Sequence, residues 1–327
     1  MPRLLILGGT AWLGRETARE ALARGWEVTC LARGESGEVA PGTTLVRADR
    51  DAPDAYAEVS GTRWDAVVEV SWQPRHVREA AEAISAGHWT YISSVAAYAP
   101  TRVVVAEDSL LRPPVPRDAE VDGSLYDAAK VRCELDTVAT HPDALLVRAG
   151  VIAGPGDPTE RLAYWPRRAV QAGDHAMIEP AGPSHPLQVV DVRDLVAWLI
   201  GAIEAGVTGA VNAVGPQVPF EDLVSAARDA AVSTGARIRV EHDRLGDLDV
   251  RSWKGPRSLP LWVADDGGPA RTGYHSDARF LATGARRRPL AATVADVMEE
   301  EIALGVDREV AGGLTRDEEL ALLEELA

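Results

Sequence analysis

Apolar positions along this chain alternate between two rhythms. Leu4-Leu5-Ile6-Leu7 is a continuous aliphatic run that stops at Gly8-Gly9, and Leu13, Thr17, Ala18, Ala21 and Leu22 then recur at helical spacing. Buried strand, tight turn and helix are the elements this pattern predicts. The same alternation continues. Strands are predicted at 26–31, 44–47, 64–70, 89–92, 144–148 and 210–214. Helices are predicted at 53–60, 76–86 and 126–139, with another opening at 187–195 and running to Ile203. Short apolar strands alternating with helices predict an α/β fold with a doubly wound parallel sheet. The run Gly154-Pro155-Gly156-Asp157-Pro158 marks an exit from that sheet, and 159–184 is richer in Arg, Trp and Pro. The expected division is therefore a sheet domain of 1–155 plus 185–215, and a smaller lobe of 156–184 plus 216–327 with C-terminal helices. In the second part, Phe220 to Thr234 reads as a helix, 250–275 as a long Pro/Gly-rich loop suited to a lid, and Thr315 to Glu318 as a capping box.

Composition narrows the picture in a few places. The net charge of −16 argues against nucleic acid and anionic membrane surfaces as partners. No apolar run approaches the ~18 residues of a membrane span, and the start enters a strand directly, unlike a secretory signal. Two cysteines, Cys30 and Cys133, point to a reduced, cytoplasmic protein. The seven histidines show no metal-ligand spacing, so no metal is expected. Basic residues are almost all arginine. Lys130 and Lys254 are the two lysines, which makes each worth explaining.

Three stretches carry chemistry. The turn Gly8-Gly9-Thr10-Ala11-Trp12-Leu13-Gly14 aims backbone N–H groups and a positive helix end at one point, as a pyrophosphate requires. Gly8 permits the tight turn and Gly14 lets the helix approach the sheet. Tyr126 and Lys130 stand four apart on one helix face, where an ammonium favours phenolate and readies the tyrosine for acid–base work. Lys130 can also hold a ribose hydroxyl. Ser93-Ser94 ends a strand at the carboxyl edge, where open α/β sheets place ligands, and a hydroxyl there can orient a substrate carbonyl.

These stretches resemble the extended short-chain dehydrogenase/reductase family, in its NAD(P)-dependent epimerase/dehydratase-like branch. The likeness rests on the glycine turn, on Ile92-Ser93-Ser94-Val95-Ala96-Ala97-Tyr98, on Tyr126-x-x-x-Lys130 and on Arg148 to Gly156. Val189 to Asp194 and Asn212-Ala213-Val214-Gly215 extend it, so that it covers residues 1–290 or so. It implies a Rossmann-like sheet domain with a C-terminal substrate-binding lobe. It implies Ser94 as catalytic serine, Tyr126 as acid/base and Lys130 as its partner, and places Asp49 near the adenine ring. It also implies a homodimer built on the helix of Tyr126, with Val131, Leu135 and Val138 as its apolar positions. Two departures stand out. Ala11 replaces the middle glycine, and Glu69-Val70-Ser71-Trp72 replaces the usual His-x-Ala-Ala.

The resulting expectation is an NAD(P)-dependent oxidoreductase that moves hydride between nicotinamide and a carbonyl or hydroxyl carbon of a nucleotide sugar or other small molecule. Reductase and epimerase/dehydratase chemistry both remain open. The alternative is a non-catalytic dinucleotide-binding regulator or RNA-associated relative. NADP(H) is expected over NAD(H), because Ala32 stands where an acidic side chain would hold the ribose, and Arg33 follows. Cofactor contacts are expected from Gly8, Gly9, Thr10, Trp12, Leu13, Gly14, Arg33, Asp49 and Lys130. Ser71, Trp72, Arg161 and Trp165 are candidate substrate contacts. Arg167 and Arg168 extend a possible anion pocket, and Trp253 and Trp262 could stack on a substrate ring.

Overall fold

The computed structural model describes residues 1–269, 273–310 and 312–327. Its contacts form two compact units. The first comprises 1–151, 192–215 and 275–286, and the second 152–191, 216–274 and 287–327. The segment 275–286, expected in the lobe, belongs to the sheet unit, while 152–155 and 185–191, expected with the sheet, belong to the second unit.

The sheet unit is built on β1 (Arg3–Leu7), β2 (Glu27–Ala32), β3 (Thr44–Arg47), β4 (Arg63–Glu69), β5 (Ser85–Ser94) and β6 (Leu145–Ala149), with Gly209–Ala213 as its last strand. All pair in parallel, in the order β3-β2-β1-β4-β5-β6 and then the last strand. Aliphatic runs such as Leu4 to Leu7 suit strands covered on both faces. Helix α1 (Trp12–Ala23) packs beside Val192–Glu204; after the short α2 (Ala57–Ser60), α3 (Pro74–Ala83) packs beside α4 (Tyr126–Thr140). Leu5, Leu31, Val67, Val77, Trp89 and Cys133 share one core cluster. The order reverses between β1 and β4, which places a ligand crevice at their carboxyl ends.

Register brings polar residues to that edge. Leu7 lies beside Leu31 and Glu69, and Glu69 beside Tyr91. Further along, Ser93 lies beside Arg148 and Arg148 beside Asn212.

In α4, Val131 is buried and Val138 packs against the core. Of the apolar positions expected to meet a second copy, Leu135 remains, 43% exposed.

In the lobe, Leu290–Leu304 packs against Phe220–Ala230 and Tyr164–Ala172, and Met177–Pro180 pairs in parallel with Arg237–Val240. The two strands are too short and too charged for their pattern to have marked them. The 250–275 stretch, expected to be structureless, contains a strand pair, Arg251–Trp253 with Ser258–Pro260. Trp262 is buried there, so it is a packing residue and not a ring held out for substrate. The part of that stretch at 270–272 lies outside the described residues. The capping box at Thr315 is present: Glu318 N–H donates to Thr315 Oγ1 at 3.2 Å, and Thr315 N–H to Glu318 Oε2 at 2.8 Å. Among the described residues, no helix is long and apolar enough to cross a membrane.

Candidate active site

A cleft of about 760 Å³ opens at the carboxyl edge of the sheet unit. Its floor is the β1–α1 turn, where Gly8, Thr10 and Ala11 line the space. Gly8 has φ of +109°, and a Cβ there would stand 2.4 Å from Val70 Cγ2, so two independent reasons require glycine. A Cβ on Gly14 would stand 2.4 Å from the Gly8 carbonyl oxygen, so this glycine lets α1 start against the turn. Gly9 packs behind on Cys30, and Trp12 and Leu13 open the helix. Ala11 sits at the helix N-cap in extended backbone (φ −76°), with no side-chain cap. The missing glycine is therefore tolerated, because this position needs no left-handed conformation. An uncapped helix start aimed at the cleft suits an anion.

The cleft wall continues through Ala32, Arg33, Glu35, Asp49 and Ser71. Arg33 is exposed and pairs with Glu35 at 3.3 Å. Asp49 is exposed and accepts the Asp51 N–H at 3.0 Å, so it caps its own turn as well as lining the cleft. These residues fit a dinucleotide. Glycines allow close approach, a helix start would face the phosphates, and room and polar groups extend on to Arg33 and Asp49.

Beyond Ser71 the chemistry changes from backbone to side chain. Lys130 is 3% exposed. Its Nζ donates to the Ile92 carbonyl at 2.7 Å and the Ser71 carbonyl at 3.2 Å. It lies 4.8 Å from the Tyr91 ring centre and 5.8 Å from that of Tyr126. Burial lowers its pKa to about 8, against the pull of Cys133, Glu69 and Glu134. Tyr126, half-buried at the first turn of α4, has the Trp72 indole at 5.8 Å between ring centres. Ser94 ends β5 two residues past Ile92. Its Oγ accepts the Ala96 N–H at 3.2 Å and caps the short turn Val95–Ala97. Ser93 turns the other way and donates to Glu134.

The remaining candidates separate. Arg161 donates to Thr159 Oγ1 at 3.1 Å and lies over the Trp253 ring at 5.4 Å. Trp165 is wholly buried, and its Nε1 donates to the Pro260 carbonyl at 2.8 Å. The expectation that its ring meets substrate does not fit this burial. Arg167 and Arg168 are likewise buried, against Glu301 at 3.0 Å and Glu319 at 3.3 Å. Each charge is already answered by a carboxylate, so they form no anion pocket.

Two buried networks escaped the sequence pattern. Arg50 grips Glu69 through Nη1 at 2.9 Å and through Nη2, and donates Nε to Tyr56 Oη at 2.9 Å. Arg148 grips Glu134 at 3.0 and 2.8 Å and donates to Tyr98 Oη at 2.7 Å, which in turn donates to Asn212 Oδ1 at 2.7 Å. The signal was available: a glutamate closing an apolar strand needs a buried cation, and Arg50 stood just past β3, with β2 and β1 between it and β4 in the sheet.

Residues 4–215 match the NAD dependent epimerase/dehydratase family. The chain belongs to that family. Membership makes it an NAD-dependent enzyme of the epimerase or dehydratase kind, with a Rossmann-like fold. No curated protein matches it by sequence. Among solved structures it is similar to UDP-N-acetylglucosamine 4-epimerase from Bacillus cereus (15% identity, TM-score 0.68, covering 93% of this chain and 100% of that one). It is also similar to the Bordetella bronchiseptica enzyme WbmH in complex with NAD+ (18%, 0.66, 92% and 98%). UDP-glucuronic acid 4-epimerase from Bacillus cereus in complex with NAD is a third (14%, 0.65, 92% and 99%). At these identities the likeness is one of fold.

Proposed function

We propose that this enzyme exchanges hydride and a proton at a hydroxyl-bearing carbon of a nucleotide sugar, as an epimerase that keeps its cofactor through the cycle. The observation that carries the reading is Lys130, a buried ammonium fixed beside Tyr126 by the Ile92 carbonyl and by the carbonyl of Ser71, which lines the cleft. Two of the similar structures, named as 4-epimerases of UDP sugars, support the substrate class. Bound nicotinamide dinucleotide would supply the hydride acceptor and donor. Gly8, Thr10 and Ala11 would hold its phosphates, with Gly9, Trp12, Leu13 and Gly14 shaping the turn behind them, and Asp49 would lie by the adenine.

Tyr126 takes the proton from the substrate hydroxyl and returns it. Lys130 gives two N–H groups to the Ser71 and Ile92 carbonyls, and its third would hold a ribose hydroxyl of the cofactor. Its positive charge favours the phenolate of Tyr126. Ser94 uses a lone pair on Ala96 and keeps its own hydrogen to donate to the substrate oxygen. Trp72 walls the proton-transfer site, where a sugar ring can stack on the indole, with Ser71 beside it; Arg161 is the lobe's candidate contact to substrate. The protein works in the cytoplasm, and any homodimer involves Leu135.

The finer cofactor preference is for NADP(H). Ala32 offers no carboxylate to repel a 2′-phosphate, and the exposed Arg33–Glu35 pair is weak enough for a phosphate to displace. Titration of both reduced cofactors tests this. Arg33→Ala should weaken NADPH binding about tenfold and leave NADH nearly unchanged; NADH binding tighter than NADPH to the wild type would overturn the preference. The function itself is tested by incubating the enzyme with UDP sugars and following the configuration at each carbon. Interconversion without net reduction of added cofactor is expected, and no conversion of any nucleotide sugar would overturn the reading.

A further inference from the structure

We propose that the buried Arg50–Glu69 pair is a positioning pair: through the backbone of Ser71 it fixes the Lys130 ammonium beside Tyr126. The proposal rests on the acid–base reading of Tyr126 and Lys130.

Glu69 is fully buried at the end of β4 and carries two duties besides its bond to Arg50. Its Oε1 accepts the Ser71 N–H at 2.7 Å. Ser71 is then held on every side. Its Oγ accepts the Gln73 N–H at 3.1 Å, and its carbonyl accepts from Tyr91 Oη at 3.1 Å and from Lys130 Nζ at 3.2 Å. A continuous chain of bonds therefore runs from Arg50 through Glu69 and Ser71 to Lys130.

Arg50 lines the cleft, but four of its five N–H groups are already committed within the protein. Nε goes to Tyr56, Nη1 to Glu69, and Nη2 to Glu69 and to the His76 carbonyl at 2.7 Å. Its work is to hold the carboxylate. A buried ion pair is a poor device for stability alone, because a well-packed apolar pair of equal volume often stabilises as well or better. A carboxylate here does two things an apolar side chain cannot. It accepts the Ser71 N–H, and it places negative charge near an ammonium that burial disfavours.

The charged and titratable groups that face Lys130 can be named element by element. From β4 there is Glu69, backed by Arg50. From β5 there is Tyr91, which burial holds far above its usual range and so keeps as a neutral donor. From α4 there are Tyr126, Cys133 and Glu134. Burial raises the Cys133 thiol to about 12, so it too is neutral. Glu134 is already bound by Arg148. Glu69 is bound by Arg50 but also touches the loop that cradles the lysine, which makes it the carboxylate coupled to Lys130 by geometry as well as by charge.

The chain's two lysines make the test direct. Isotopically labelled lysine gives two Nζ signals by NMR, and Lys254→Arg assigns them, so the titration of Lys130 is read without turnover. Glu69→Gln alone would strand the Arg50 charge and could prevent folding. The informative variants are therefore Arg50→Leu/Glu69→Gln, which removes both charges and keeps an acceptor for Ser71, and Arg50→Leu/Glu69→Leu, which removes the acceptor as well. In the first, the Lys130 midpoint should fall by about half a pH unit or more, and the alkaline limb of kcat should fall with it. In the second, kcat should drop further at every pH, because the Ser71 carbonyl is no longer aimed. A Lys130 midpoint unchanged in either folded variant, with folding checked by circular dichroism, would overturn the proposal. A midpoint that moves while kcat ignores it supports the positioning pair and refutes instead the acid–base role on which it was built.

Discussion

In the sheet unit, Arg50 and Arg148 hold Glu69 and Glu134; in the lobe, Arg167 and Arg168 hold Glu301 and Glu319. All four pairs are buried, and all are guanidinium–carboxylate contacts. They differ in what else the carboxylates touch. Glu69 accepts the Ser71 N–H and Glu134 accepts from Ser93, so one reaches the loop after β4 and the other the end of β5, which carry the candidate site residues Ser71 and Ser94. Glu301 is shared between Arg167 and Arg308, while Glu319 accepts the Ile178 N–H and is shared with Arg316. Those contacts join helices and a strand of the lobe to one another. On the proposed reading, the same chemical unit aims a site in one unit and closes a core in the other. Position relative to the strand ends decides which, and residue type does not.

The sharpest way to break this contrast is at the group the sheet-unit pairs serve. Tyr126→Phe removes one hydroxyl and keeps the ring that packs on Trp72. Turnover should fall about 10²- to 10⁴-fold, the range for loss of a general acid–base group, while cofactor affinity stays within a few-fold. Steady-state kinetics beside a binding titration would check it. Near-normal turnover would mean that the buried networks around Lys130 aim nothing.

The lobe supplies the complementary test. Glu301→Gln leaves Arg167 and Arg308 facing a neutral amide, with Glu160 as their remaining carboxylate. Removing one partner of a buried pair costs about 3–5 kcal/mol where nothing replaces it, so denaturant unfolding should read a loss below that figure. The pH profile of the surviving activity should not move, because Glu301 touches no site loop. A shifted profile would erase the distinction between the two units.

What the sequence revealed divides along a related line. The β1–α1 turn and the Tyr126–Lys130 helix were legible because their requirements are local: a positive φ at Gly8, a close approach at Gly14, a four-residue spacing on one helix face. The parallel sheet was legible because aliphatic strands alternate with helices at a regular interval. The Arg50–Glu69 pair was not, since Glu69 closes β4 while Arg50 follows β3, with two strands between them in the sheet, and the two meet only when the chain folds. The arginines at 161–168 misled for the same reason. A run of cations beside Trp165 reads as an anion pocket until the acids that answer two of them, far along the chain at 301 and 319, are brought in. The 250–275 stretch misled because its strands are three residues each, too short to show a period.

Acid sensitivity offers a subtler probe of the sheet unit. His275 is buried, its ring 5.6 Å from that of Tyr98 in the Arg148 network, and burial lowers its pKa to about 4. The unfolded chain, with an ordinary histidine, takes up this proton first as pH falls. Stability from His275 is therefore intact above about pH 6.5 and lost as pH falls toward 4. The expected loss over that window is about 1–3 kcal/mol. Unfolding measured at several pH values should show the decline in wild type and a flatter profile in His275→Phe. Equal slopes would mean that the segment 275–286 is held by other contacts.

The smallest expected effect lies in the lobe and sets the floor of the comparison. Thr315 begins the helix Arg316–Glu325, and its hydroxyl and the Glu318 carboxylate satisfy each other's backbone N–H groups. The next residue, Glu319, is buried against Arg168 and also takes the Ile178 N–H, so this cap aims a residue that closes the lobe core. Thr315→Ala removes one acceptor at a helix start, which costs about 1 kcal/mol where the end stands alone. If fraying reaches Glu319, the loss should exceed that figure, because an undirected carboxylate weakens a buried pair. The two cases separate in a double-mutant cycle with Arg168→Met. Additive losses would confine the cap to its own helix. A coupling of about 0.5 kcal/mol or more would show that, in the lobe as in the sheet unit, a backbone contact sets the direction of a buried charge.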